Sequence, residues 1–213
     1  GRTFCLNGQR ILFGWVPTKE NSDDHANFEW AGTFVAHEIY QREDGTLGVK
    51  IPDTVWAAFN EREKIADFTI DSPYAREEKV VARECGDLFS FEADVKFSGD
   101  PRSFGVRILE SEEKAQAYQF LFHVKENRYV FEKNPNWPWF GCMNIGLERP
   151  IDLNAGETYH IQIIFDDDIA TLYVNGVALN TRAYEKPGDS LSLFVTDGTL
   201  EVTNASIARG IKA

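Results

Sequence analysis

The residues of this chain best suited to ligand chemistry lie in the segment Asn134-Pro135-Asn136-Trp137-Pro138-Trp139. Sugars present apolar C–H faces that stack on aromatic rings, and their hydroxyls hydrogen-bond to amides and carboxylates. Two tryptophans in a segment rich in Pro and Asn are hard to bury together, and an exposed aromatic patch usually marks a contact surface. One hypothesis is a carbohydrate-binding platform made by Trp137, Trp139 and Asn136. The alternative is that both indoles pack against another part of the protein.

Other chemistries find little support in the sequence. The histidines at positions 25, 37, 123 and 160 lack the spacing of metal ligands, and His123 and His160 are predicted to be structural residues within strands. No Gly-rich phosphate loop or serine–histidine–aspartate motif stands out. The segment from Asn21 to His25 lacks the pattern of a calcium loop and is predicted to be a solvated turn. We predict that the chain uses no cofactor and no metal.

Composition narrows the classes of partner. The 213 residues include 34 acidic and 22 basic side chains, a net charge of −12. Such an excess repels phosphate backbones and anionic lipids, so we predict no nucleic-acid partner and no membrane partner, although acidity also serves solubility. No stretch approaches the length of an apolar membrane span. Three widely separated cysteines, Cys5, Cys85 and Cys142, indicate a reducing compartment such as the cytoplasm rather than a disulfide scaffold.

Two strands and a helix are predicted ahead of the main domain. Residues 9–17 and 30–41 have the composition of strands and are joined by a polar loop, and Trp15 is predicted to be a core residue. After Pro52, the run 53–65 is predicted to be a helix capped by Asp53. A charged segment, 71–84, is predicted to link this helix to the rest of the chain.

From Leu88 onward the sequence predicts an all-β domain. Apolar and polar residues alternate strictly over 89–97, which is typical of a strand with one buried face. The same pattern recurs over 104–108, 118–122, 129–131 and 159–165, and further strands are predicted at 191–195, 199–203 and 205–211. Asn175-Gly176 indicates a tight hairpin turn. About ten to twelve short strands with regular turns predict a β-sandwich.

The order of motifs near the start of the chain resembles a known family. The motifs are Arg10-Ile11-Leu12-Phe13-Gly14-Trp15, Trp30-Ala31-Gly32, Asp44-Gly45-Thr46-Leu47 and Pro52. This order is similar to the end of the catalytic domain in glycoside hydrolase family 32, which contains invertases, levanases, inulinases and sucrose-6-phosphate hydrolases. Further along, Ile169–Gly176 followed by Thr181-Arg182-Ala183-Tyr184 resembles a hairpin of the family's C-terminal module. One departure is Ala36-His37-Glu38, where the family has Pro-Arg-Glu.

The resemblance implies an architecture and a set of partners. It implies residual strands of the last propeller blade over 1–50, a linker with a short helix over 51–84, and a concanavalin-A-like β-sandwich (jelly roll) over 85–213. Partners would be the rest of a β-propeller, or a second copy of the chain, together with a fructoside. The family's Trp-Ala-Gly tryptophan lines the fructose pocket, which implies a sugar-binding role for Trp30. Because the sequence contains no methionine before Met143, we expect Gly1 to be a processing or cloning product.

Three short segments imitate the family's catalytic motifs, and we predict that none is catalytic. Retaining glycosidases need two carboxylates about 5–5.5 Å apart. Glu84-Cys85, Asp100-Pro101 and Asn134-Pro135-Asn136 look like the acid/base, stabiliser and nucleophile motifs. They occur in reversed order and follow the Trp-Ala-Gly strand instead of preceding it. The prediction for the site is therefore no catalytic residue.

Three functional hypotheses follow from these observations. The first is the C-terminal region of a β-fructosidase, with a structural role and no activity of its own, whose parent hydrolyses β-fructosides such as sucrose or fructans. The second is a free-standing carbohydrate-binding module that uses Trp137 and Trp139. The third is an enzyme with an unfamiliar site on the concave face of the sandwich.

Overall fold

The computed structural model describes residues 1–136 and 147–210. The first four strands form an antiparallel sheet, called here the small sheet, in the order β1-β2-β3-β4. Their bounds are β1 (Arg2–Leu6), β2 (Gln9–Lys19), β3 (Phe28–Gln41) and β4 (Leu47–Lys50). The predicted strand pair is thus extended by one strand on each side. A 3-10 turn, Glu20–Ser22, lies between β2 and β3.

The segment after Pro52 differs from the prediction. Helix α1 covers only Asp53–Trp56, and the strands β5 (Arg62–Lys64) and β6 (Phe68–Ala82) follow it. The charged segment over 71–84, predicted to be a linker, therefore forms most of a long strand. Hydrophobicity alone does not predict this strand, because its polar side chains face away from the core while its backbone pairs with a central strand. The division of the chain at residues 50 and 84 stays a prediction.

The remaining strands complete an all-β sandwich, which confirms the predicted fold class. Their bounds are β7 (Leu88–Ser98), β8 (Ser103–Glu110), β9 (Ala117–His123), β10 (Arg128–Asn134), β11 (Glu148–Pro150), β12 (Thr158–Asp166), β13 (Ile169–Val174), β14 (Val177–Arg182) and β15 (Ser190–Arg209). A second 3-10 turn, Val124–Glu126, follows β9. Strands β13 and β14 flank Asn175-Gly176, both with positive φ, as the predicted hairpin turn requires.

One long strand joins the two layers of the sandwich. The first half of β15 pairs with β8 and the second half with β7, while β6 runs along its other side. The front sheet therefore has the order β11-β10-β9-β8-β15-β6, and the back sheet continues from β15 through β7, β12 and β13 to β14. A register shift near Asp197 and Gly198 marks the crossing. Three separate strands were predicted here; pairing with β6 over 191–202 and with β7 over 199–209 joins them into one.

Alternating residues of both sheets fill one core. In β7 the five predicted inward residues, Phe89, Phe91, Ala93, Val95 and Phe97, are almost fully buried. Aromatic rings dominate the rest of this core, including stacked Phe104 and Phe122 at 4.7 Å. Each large apolar side chain buried this way stabilises the fold by about 1.5–3 kcal/mol. The sandwich thus provides a rigid support for the small sheet.

Candidate functional site

The small sheet carries an exposed aromatic face. Phe13 and Trp15 of β2 and Phe34 of β3 lie on the same side of the sheet, since Trp15 is directly opposite Phe34. Their rings remain open to solvent: Trp15 is 61% exposed and Phe34 73%. Phe4 of β1 stacks on Phe13 at 5.1 Å and extends the patch. The prediction that Trp15 is a core residue is wrong, because no part of residues 1–136 or 147–210 covers its indole.

Trp30 continues this aromatic face and is 95% exposed. It borders a cavity of about 340 Å³ together with Trp15, Pro17 and Gly32. A Cβ at Gly32 would approach Trp15 Cδ1 to 2.8 Å, so glycine is what allows the indole of Trp15 to lie against the neighbouring strand. An open indole beside a concave surface is suited to stacking on a sugar ring or on another polypeptide. The aromatic face is defined here by Phe4, Phe13, Trp15, Trp30 and Phe34.

The opposite side of the small sheet is fastened to the sandwich, first by Arg182 at the end of β14. Its guanidinium donates to the carbonyl oxygens of Val16 at 3.0 Å and Pro17 at 2.8 Å and to Thr33 Oγ1 at 2.7 Å. Asp168 holds the same guanidinium from below, with both carboxylate oxygens at 2.6 Å. The Thr181-Arg182-Ala183-Tyr184 motif noted in the sequence thus positions a clamp between the two sheets.

A second fastening is built around Asp24, in the loop between β2 and β3. Asp24 is only 2% exposed and accepts a hydrogen bond from the hydroxyl of Tyr118 on β9. Lys133 Nζ lies 3.5 Å from the same carboxylate. Lys19 N donates to Tyr184 Oη at 2.8 Å nearby. The prediction that residues 21–25 form a solvated turn is confirmed for the exposed Asn21, Ser22 and Asp23 and is wrong for Asp24, whose buried carboxylate is satisfied by residues distant in sequence.

His37 makes the third fastening. Its Nδ1 lies 2.7 Å from Tyr173 Oη, and Asn180 Nδ2 donates to its Nε2 at 3.0 Å. Thr171 Oγ1 donates to Asn180 Oδ1. With Nε2 as the acceptor from Asn180, the neutral ring of His37 carries its proton on Nδ1, and burial lowers the pKa of this histidine. This histidine, which replaces the arginine of the family's Pro-Arg-Glu, contacts the sandwich.

The turn at Asn175-Gly176 also contacts the small sheet. Val49 N donates to Gly176 O at 2.8 Å, and Arg42 Nη2 donates to the same oxygen at 3.0 Å. A Cβ at Gly176 would lie 2.4 Å from Tyr40 Oη, so this glycine serves the close approach as well as the turn. The two parts are thus joined along the edge strand β14.

The catalytic look-alikes are far apart. Glu84 precedes β7 and Asp100 follows it, so the eleven residues of this strand separate them. At about 3.3 Å per residue the separation is roughly 35 Å, far beyond what two carboxylates flanking one bond require. Asp100 instead pairs with Lys125 at 3.0 Å. These two carboxylates cannot act as a catalytic pair.

The sequence-predicted sugar residues are not brought together. Trp30 lies on the small sheet, whereas Asn136 follows β10 of the sandwich and donates to Glu132 Oε2 at 3.3 Å. Trp137, Trp139 and Cys142 lie outside the described residues. Sequence reasoning missed Arg76 and Arg107, which lie beside Glu132 on the front sheet. The sequence offered a signal only for Arg107, which is the lone arginine in the apolar run Gly105-Val106-Arg107-Ile108-Leu109.

Cysteines and metal ligands add no further site in the described ranges. Cys5 is exposed and Cys85 buried, and both are free thiols. Burial is the main cause that raises the pKa of the Cys85 thiol, to about 12, so it is not a nucleophile at neutral pH. Within residues 1–136 and 147–210, no group of three or more His, Cys, Asp or Glu is arranged to hold a metal ion. No helix in the same ranges has the length and apolar character needed to span a membrane.

The fold places the chain in a class of known proteins. Fructosyltransferase from A. japonicus superposes with a TM-score of 0.73 at 18% identity, over 96% of this chain and 40% of that one. Fructan 1-exohydrolase IIa from Cichorium intybus gives 0.73 at 13% identity, over 100% and 48%. Carbohydrate binding module CBM66 from Bacillus subtilis gives 0.54 at 14% identity, over 69% and 94%. These likenesses define a β-sandwich with an attached four-stranded sheet.

The sequence identifies the family. Residues 58–209 match the family described as "Glycosyl hydrolases family 32 C terminal". The chain therefore belongs to glycosyl hydrolase family 32 as its C-terminal domain. It spans under half the length of the two enzymes named above. No curated protein matches it at a significant level.

Proposed function

We propose that this chain is the C-terminal region of a β-fructosidase-like glycosyl hydrolase and that its role is to support a catalytic β-propeller. The observation that carries the proposal is the difference between the two sides of the small sheet. One side is held to the sandwich by Arg182, Asp24 and His37. The other side is the aromatic face. Contiguous exposed apolar patches are uncommon on monomeric proteins, and large ones mark interaction sites.

The occupant of the aromatic face is a further set of propeller strands. In the family, the strands before this region belong to the propeller, and the small sheet takes the place of its last blade. Neighbouring blades pack face to face through large side chains, which suits Phe4, Phe13, Trp15 and Phe34. Trp30, beside its 340 Å³ cavity, would then lie at the rim of the fructose pocket. A second copy of the chain is the competing occupant.

The complete enzyme would hydrolyse β-fructosides such as sucrose, inulin or levan through two carboxylates supplied by the propeller. This chain alone is expected to release no fructose, since Glu84 and Asp100 lie at opposite ends of β7. Turnover by the isolated chain that disappears in Glu84→Gln would overturn this assignment.

The coding sequence before Gly1 tests the proposal. It should encode the family's three carboxylate motifs, Asn-Asp-Pro-Asn-Gly, Arg-Asp-Pro and Glu-Cys, in that order. The longer protein should then release fructose from sucrose, inulin or levan. A start codon directly before the codon for Gly1 would contradict the proposal and favour a separate, non-catalytic protein.

A second function, carbohydrate binding by the sandwich itself, is supported by the contact of Asn136 with Glu132 and by the likeness to a carbohydrate binding module. In this proposal Trp137, Trp139 and Asn136 form the platform. A glycan array with the wild-type chain and Trp137→Ala tests it. A purely structural domain gives no signal that depends on Trp137.

A further inference from the structure

The outer face of the front sheet carries a row of charged and amide side chains across four strands. In the spatial order of the strands these are Arg76 and Glu78 on β6, Arg107 on β8, Gln119 on β9 and Glu132 on β10, called here the polar row. Gln119 lies directly opposite both Arg107 and Glu132 in the strand pairing. Arg107 and Gln119 are only 4% and 3% exposed, although neither side chain belongs to the apolar core of the sandwich.

Direct contacts join the polar row in two groups, one made by Arg107 and Glu78 and the other by Arg76, Gln119 and Glu132. Arg107 Nη1 donates to Glu78 Oε2 at 2.7 Å, and Arg76 Nη2 donates to Gln119 Oε1 at the same distance. Gln119 Nε2 donates to Glu132 Oε1. Asn136 Nδ2 approaches the other oxygen of Glu132. The side chains are therefore held in fixed orientations before any ligand arrives, which lowers the entropic cost of binding.

The floor beneath the polar row is apolar and flat. Gly105 has no side chain, and a Cβ there would lie 2.9 Å from the ring of Phe194. The ring therefore lies against the sheet at Gly105. Arg76 covers this ring, with its guanidinium carbon 3.4 Å from the ring centroid. This cation–π contact holds the guanidinium over the ring of Phe194.

Fold stability alone does not account for this arrangement. Burial, followed by the charge of Arg107, lowers the pKa of Arg76 to about 10, a sign that its charge is poorly solvated. Arg76 Nε and Arg107 Nε are buried with no hydrogen-bond partner in residues 1–136 and 147–210. Buried ion pairs are often no more stabilising than apolar side chains of similar size. Desolvated, pre-oriented charges are more typical of a binding site.

The charges of the cluster indicate which ligand fits. Three cations, Arg76, Arg107 and Lys114, lie with three acidic side chains, Glu78, Glu110 and Glu132; the shortest ion-pair distances are 2.7–3.0 Å. Balanced charge favours neither an anion nor a cation. It suits a neutral ligand with neighbouring hydroxyls, each able to donate to a carboxylate and accept from a guanidinium or amide.

We propose that the polar row is a binding site for a neutral sugar unit, with Arg76 donating to one hydroxyl, Glu132 accepting from an adjacent one, and Asn136 closing the site at its edge. Gln119 is a positioning residue, because it hydrogen-bonds both Arg76 and Glu132. The site differs from Trp30, which lies on the small sheet. It also does not depend on the architectural role proposed above, since the polar row belongs to the sandwich alone.

The test is a calorimetric titration of the whole chain with fructose, glucose, sucrose and short inulin and levan oligosaccharides. It compares the wild type with Arg76→Lys and Glu132→Gln. Glu201→Gln is a matched control, because Glu201 pairs with Lys96 on the back sheet. Thermal unfolding of each variant shows whether it folds, and Trp137→Ala reports on the rival platform.

We expect saturable binding of at least one sugar. This binding should weaken about tenfold or more in Arg76→Lys and Glu132→Gln and stay unchanged in Glu201→Gln. Three results would overturn the proposal. They are no binding of any of these sugars by the folded wild type, binding that is equal in all variants, or binding lost only in Trp137→Ala. Displacement of the sugar by inorganic phosphate would show that the site prefers an anion and would overturn the neutral-ligand assignment.

Discussion

Arg182 Nη2 on the edge of the sandwich lies 3.0 Å from the carbonyl oxygen of Val16 in the small sheet. Nη1 of the same guanidinium donates to Asp168. A sandwich side chain therefore completes backbone hydrogen bonding in a sheet that precedes it by more than 160 residues in sequence. This contact explains why the small sheet keeps a fixed position although its aromatic face is uncovered.

The first prediction concerns this clamp. Arg182→Ala should lower the free energy of unfolding by about 3 kcal/mol, because it leaves Asp168 and two carbonyl oxygens without their charged donor. Arg102→Ala, which removes an exposed ion pair with Asp197, should cost no more than about 1 kcal/mol. Chemical denaturation of both variants provides the measurement. Equal losses in the two variants would show that Arg182 is not a clamp.

The second prediction concerns the buried carboxylate of Asp24. Tyr118→Phe removes the hydroxyl that donates to Asp24 and should destabilise the protein by about 1–3 kcal/mol, because a buried carboxylate loses a donor. Tyr74, which is 80% exposed, provides the matched control, and Tyr74→Phe should have almost no effect. Hydrogen exchange of residues 20–27 should accelerate in Tyr118→Phe alone. Unchanged exchange there would argue against this fastening.

The third prediction is a pH dependence that arises from His37. Burial lowers the pKa of His37 below its ordinary value of 6.5, so the unfolded chain takes up this proton before the folded one does. The contribution to stability is complete above about pH 6.5 and falls as the pH is lowered toward the folded pKa. Protonation of Nε2 also removes the acceptor for Asn180.

His37→Gln should therefore flatten the decrease in unfolding free energy as the pH falls below about 6.5, while it retains polar atoms facing Tyr173 and Asn180. Urea denaturation at several pH values provides the measurement. A pH profile identical to that of the wild type would show that His37 does not titrate with folding.

The sequence predicts the core better than the surfaces where the two parts meet. Alternation in β7 and the Asn175-Gly176 turn are local signals, and both are confirmed. Strand β6 was missed because Arg76 and Glu78 read as solvated charges, while their environment depends on strands far along the chain.

The interface residues were misjudged for a related reason. The burial of Asp24 depends on Tyr118, 94 residues away, and no local pattern encodes that pairing. Trp15 has the apolar character of a core residue, but its exposure depends on what covers the aromatic face. The composition of a segment shows how apolar its side chains are but not which surface covers them.

The central claim is that the aromatic face of the small sheet docks a β-propeller. The most direct measurement co-expresses this chain with the polypeptide encoded immediately before Gly1 and tests whether the two co-purify. Wild type and Tyr74→Ser should retain the partner, whereas the double variant Trp15→Ser/Phe34→Ser should lose it while its sandwich still unfolds cooperatively. Retention of the partner by the double variant, or the absence of any complex with the wild type, would contradict the account.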